Sequence, residues 1–88
     1  MNVNHPVITD ALHCAHLFRL GRDIEAALKM VDLIDITMSL FASRPKEDQA
    51  QLAHVMSEIL QCQERQDWIG VADWLEVEFV EVCSIKLA

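Results

Sequence analysis

Between Asp23 and Ala42 the chain carries two apolar stripes at helical spacing, and no other feature constrains its fold so tightly. Ile24, Ala27 with Leu28, Val31, Ile34, Met38 and Phe41 form one stripe; Ala26, Met30, Leu33, Thr37 and Leu40 form the other. Each advances in steps of three and four, which keeps its members on one side of a 3.6-residue helix. A helix with one apolar stripe lies on a surface, whereas one with two is expected to be wedged between neighbours. In so short a chain those neighbours are its other helices, a second copy, or a foreign partner. On this reading Val31 and Leu33, one from each stripe, are both buried.

Punctuation elsewhere divides the chain into helices. Pro6 suits a first helical turn, with Asn4 or His5 just outside it. Val7, Ala11, Cys14, Ala15 and Phe18 then share one face, while Thr9, His13, His16 and Leu20 face away. Gly21 can close this helix in a left-handed conformation, and Asp23 can cap the next. Within the second helix Glu25, Lys29 and Asp32 make a polar strip at i,i+4 and i,i+3 spacing. Ser43-Arg44-Pro45 is the clearest stop, because Pro45 pushes Arg44 out of helical geometry and cannot donate to a preceding carbonyl.

The third helix runs from about Pro45 to Arg65, with Leu52, Val55, Met56, Ile59 and Cys62 inward. Asp67 is a good N-cap for a fourth, Trp68 to about Lys86, whose main face is Trp68, Val71, Ala72, Leu75, Phe79, Val82 and Cys83. The expectation is an all-α fold: residues 1–88 as one domain, a small antiparallel bundle of three to four helices built from two helical hairpins. With two Gly, two Pro and no Tyr, the chain has little of what an all-β fold needs.

Charge and cysteines narrow the class. The formal net charge is −7, and the seven Lys and Arg form no cluster larger than a pair such as Arg19 and Arg22, so no nucleic-acid partner is expected and anionic membranes are disfavoured. Three scattered cysteines, Cys14, Cys62 and Cys83, fit a reducing compartment better than a disulfide framework. The segment Met1 to Pro6 has neither the basic nor the apolar region of a signal peptide, and no apolar run reaches membrane-spanning length. The expected location is cytoplasmic.

Candidate chemistry is sparse. His13-Cys14-Ala15-His16 is the one cluster with metal-capable side chains, and Asp10 lies one turn earlier. Cys14 falls on the opposite, apolar face, so His13 and His16 read as solvated and no metal or cofactor is expected. His5 and His54 read as isolated surface residues. The pairs Asp73/Glu76 and Asp32/Asp35 have acid-base spacing but no nucleophile, glycine-rich loop or pocket beside them, so they read as solvated faces and the protein as a non-enzyme. The fourth helix carries a second strip, Trp74, Val77 and Ile85 with Glu81 among them, that has no use within a small bundle. Tryptophan concentrates at binding hot spots, so Trp74, Val77, Glu81 and Ile85 are the expected interface.

Two resemblances attach to particular segments. Leu20 to Leu28 resembles the turn of a tetratricopeptide repeat, where Gly precedes Ala by five positions, but the closing Pro and upstream aromatics of that repeat are missing. The run Gln63 to Phe79, with Asp67-Trp68, Ala72-Asp73 and Leu75-Glu76-Val77-Glu78, is similar to the C-terminal part of small uncharacterised bacterial helical proteins; Val77 stands where those have an aromatic. That likeness covers about a fifth of the chain and implies a bacterial cytoplasmic helical protein with no stated activity. The functional expectation is a protein–protein interaction module, an acidic adaptor or chaperone-like subunit that forms a homodimer or takes a helical partner. The alternative is a metal- or small-ligand-binding bundle using His13 and His16.

Overall fold

A computed structural model describes residues 5–87, and their regular structure is entirely helical. Helix α1 spans Pro6–Arg19, α2 Asp23–Phe41 and α3 Lys46–Glu64. The last segment begins as α4 (Trp68–Trp74), widens into a π-helical turn (Leu75–Phe79) and continues as α5 (Val80–Lys86). Helical backbone angles at Trp74, Leu75, Phe79 and Val80 make this one continuous C-terminal helix. The hairpins α1–α2 and α3–α4 are those expected from Gly21, Pro45 and Asp67.

The chain ends two of these helices in the same way. At α1 the Arg22 amide donates to the Leu17 carbonyl (3.0 Å) and the Gly21 amide to Phe18 (3.1 Å), with Gly21 at φ +77°. At α3 the Asp67 amide donates to Cys62 (2.8 Å) and the Gln66 amide to Gln63 (2.9 Å), with Gln66 at φ +57°. Both closures reach back over the last turn to satisfy carbonyls the helix leaves free. Asp67 then caps the C-terminal helix by accepting from the Gly70 amide at 3.0 Å. A Cβ on Gly70 would collide with that carboxylate, so glycine is what lets the cap seat. Pro45, at φ −56° and ψ 155°, is the extended residue before α3.

Three local expectations need correction. Asp23 does not cap α2; it is the first helical residue, and Arg22 precedes it without a side-chain cap bond. Lys29 does not pair with Glu25: it reaches Asp10 on α1 (3.6 Å), while Glu25 takes Arg22 (2.7 Å). His5 is not an idle surface residue, since its ring Nδ1 accepts from the Val7 amide at 3.2 Å and caps α1. Asn4, the other candidate for that position, lies outside the described residues.

The larger correction concerns which helix is central. Helix α1 buries Ile8 and Leu17 beside the expected Val7, Ala11, Cys14, Ala15 and Phe18. At 100° per residue these cover about half its circumference, and the small side chains at 11, 14 and 15 admit close neighbours. Helix α1 therefore packs on α2 on one side and along the whole C-terminal helix on the other, with α3 closing over the latter. Helix α2 lies at the edge. It buries Ala26, Met30, Leu33, Thr37 and Phe41, and the Thr37 hydroxyl satisfies itself on the Leu33 carbonyl (2.6 Å). Leu33 is buried as expected; Val31 is not.

Candidate interaction surface

The outer side of α2 is an apolar stripe open to solvent. Ile24 is 77% exposed, Leu28 68%, Val31 65% and Met38 57%. Ile34 at its inner margin leans on the core. These residues are the first of the two stripes read from the sequence, and the protomer covers only its Phe41 end. The stripe from Ile24 to Met38 runs for about 21 Å at 1.5 Å per residue. Helices α2 and α3 diverge from their connecting turn, and near it Met38, Phe41, Leu52, Ala53 and Met56 line a cavity of about 240 Å³. The stripe thus ends in a hole floored by core residues.

Carboxylates border and interrupt this surface. Asp32 and Asp35 are exposed on α2, Asp35 within the stripe itself, and among the described residues neither has a basic partner within 4.0 Å. The last turn of α2 contains no basic residue; its end is closed instead by the Arg44 amide, which donates to the Phe41 carbonyl at 3.0 Å, and by the Gln49 side-chain amide, which donates to the Ala42 carbonyl at 3.2 Å.

The expected interface on the C-terminal helix is divided by the structure. Trp74 is half-buried, packs against the core and meets the His54 ring edge-on at 6.3 Å. It walls a groove of about 360 Å³ between α3 and the C-terminal helix, with Glu78, Glu81 and Ile85 on the same side. Val77, Glu81 and Ile85 are exposed as expected. Trp68 is half-buried too and stacks on Phe18 at 5.7 Å.

The groups with acid-base or nucleophilic chemistry are otherwise engaged. Arg19 grips Glu76 with two bonds (2.7 and 3.1 Å) and Asp73 with a third (2.7 Å), clamping α1 to the C-terminal helix. Hydrogen bonding from Arg19 holds the Glu76 carboxyl below its ordinary range, which suits an ion pair and not a proton shuttle. Asp48 is buried between Lys86 (3.1 Å) and Arg44 (3.1 Å), tying the α2–α3 turn to the end of α5. Those bonds, Lys86 first, lower its pKa as well. Burial pushes the Cys83 thiol up to about 12 and the Cys14 thiol up to about 11, so both stay protonated near neutrality. The Cys14 thiol donates to the Ala26 carbonyl at 3.3 Å. His13 and His16 are exposed, and among the described residues no three or more His, Cys, Asp or Glu side chains converge as metal ligands. No described helix is long and apolar enough to cross a membrane.

No family model matches the chain, and no curated protein and no solved structure is significantly similar to it.

Proposed function

We propose that this protein is a non-enzymatic interaction module that docks another helix on the outer face of α2. The observation that carries the reading is the exposed stripe of Ile24, Leu28, Val31 and Met38, four large apolar side chains in register along one helix. An apolar strip of this length is unusual on a soluble monomer and ordinarily marks a binding site. Its steps of three and four match the way an amphipathic helix is read, through side chains at i, i+3, i+4 and i+7. The strip formed by Val77, Glu81 and Ile85, beside the groove walled by Trp74, is a second contact within the same reading. For the alternative, a metal- or small-ligand-binding bundle using His13 and His16, no third metal ligand converges on the pair among the described residues. A small acidic adaptor or chaperone-like subunit acting in a bacterial cytoplasm is the biological setting we propose.

Installing a photo-crosslinking side chain at Val31 in the native cell tests this. A discrete adduct at Val31, absent when the same group is placed at exposed His13 on α1, supports the reading. No adduct from Val31 at normal expression contradicts it.

A further inference from the structure

We infer that the occupant of the α2 stripe is an amphipathic helix of a different protein with lysine or arginine flanking its apolar face, and not a second copy of this chain. The inference rests on the docking role proposed for α2 and adds the chemistry of the partner. Charge decides between the occupants. Arg19, Arg22, Lys29, Arg44 and Lys86 are each committed to an ion pair inside the protomer. Of the Lys and Arg residues only Lys46 and Arg65 have no ion pair among the described residues, and neither is on α2.

A second copy would therefore bring its own Asp32 and Asp35 to the seam and no free cation on its α2 to meet them. With parallel helices Asp35 would face Asp35; with antiparallel helices centred on Val31 it would come level with Ala27 of the partner copy. Either arrangement desolvates a carboxylate without pairing it, which is costly. The net charges of −7 on each copy add a long-range repulsion.

A basic amphipathic helix reverses each of these terms. Its apolar side chains would cover Ile24, Leu28, Val31 and Met38, and one of them would fill the cavity beside Phe41, Leu52 and Met56. Its flanking cations would pair with Asp32 beside the stripe, and a cation set into its seam would meet Asp35.

The test is a displayed library of helices of about four turns. Leucine occupies all seam positions but one, and that one and each flanking position are drawn from lysine, glutamate or glutamine. The library is panned on the wild-type protein and counter-selected on Val31→Glu. The expected binders are enriched in flanking lysine, and the best of them loses roughly tenfold or more in affinity as salt rises from about 0.1 M to about 1 M, which shortens the Debye length from about 10 Å to about 3 Å. The double variant Asp32→Lys, Asp35→Lys should turn the enrichment towards glutamate. Binders that depend on Val31 but show no flank preference, or prefer glutamate, overturn the partner chemistry and leave the docking role of α2 standing. A wild-type dimer that Val31→Glu converts to monomer does the same, by identifying a second copy as the occupant. A monomeric wild type that yields no Val31-dependent binder overturns both.

Discussion

Leu33 and Val31 stand two residues apart on α2, and the structure gives them opposite energetic roles. Leu33 is 2% exposed, packed on the inner side of α2. Truncating it to Ala removes buried methyl groups and leaves a cavity, a change that costs about 2–5 kcal/mol. Val31 already stands 65% exposed in the free protomer. Val31→Ala should therefore stay within about 0.5 kcal/mol of wild type, the range of ordinary surface substitutions. At about 4–8 °C per kcal/mol for a domain of this size, Leu33→Ala lowers the melting temperature by roughly 8–40 °C, while Val31→Ala shifts it by less than about 4 °C. Urea unfolding followed by far-ultraviolet circular dichroism measures both, and Leu33→Val supplies a milder step if the Ala variant does not fold. Equal destabilisation by the two Ala variants in dilute protein would refute the placement of α2 at the edge. A Leu33→Ala variant as stable as wild type would refute the core it is said to join.

Other consequences follow from the same geometry. Gly21→Ala should cost about 1 kcal/mol in urea unfolding, wholly through the left-handed backbone, because a Cβ there meets no atom within 4 Å; no loss would mean that the α1 closure is misassigned. Asp48 and Glu76 have folded pKa values below their ordinary ones, so the unfolded chain binds more protons in that range. The stability they contribute is complete above about pH 5 and is lost as pH falls through the carboxylate range. Arg19→Met should lower stability at neutral pH and flatten the acid-side slope of the melting temperature, and an unchanged slope would count against the clamp. The double variant Val77→Glu, Ile85→Glu alters two exposed side chains and should leave the melting temperature nearly unchanged; if it also leaves every association of the protein intact, the C-terminal strip is not a contact.

Helix boundaries were readable because each rests on local chemistry: Gly21 tolerates positive φ, Pro45 stops α2, and Asp67 caps the C-terminal helix. The inward faces of α1, α3 and the C-terminal helix were readable as well, since each has one dominant apolar arc. Which helix is central was not. The regular stripes of α2 suggested a wedged helix, but the breadth of the apolar arc on α1, completed by Ile8 and Leu17, decides how many neighbours a helix takes. Periodicity shows that a face is apolar, and tertiary packing determines whether the chain itself covers it. Four helices leave α2 with one neighbour along most of its length, so Val31 lost its cover while Leu33 kept it. The same limit applies to Trp74, whose own core claims part of the ring. Pairing of charges across helices, such as Arg19 with Glu76 or Asp48 with Lys86, has no signature in local spacing, although two adjacent acids facing one turn of a neighbouring helix are what such clamps require. The π-helical turn at Leu75–Phe79 has no Gly or Pro to announce it.

The central claim is that the outer stripe of α2 is open in the isolated protein and covered in the cell. The native cysteines are all buried, so a single Val31→Cys substitution gives a thiol whose maleimide labelling reports on that position. Labelling rates are compared between dilute purified protein and the intact native cell, with a cysteine at exposed His13 as the reference for reagent entry. The account predicts labelling of the purified protein as fast as at position 13, and labelling at position 31 in the cell slowed at least about tenfold relative to position 13. Equal rates at the two positions in the cell, or slow labelling of the purified protein at position 31, would contradict it.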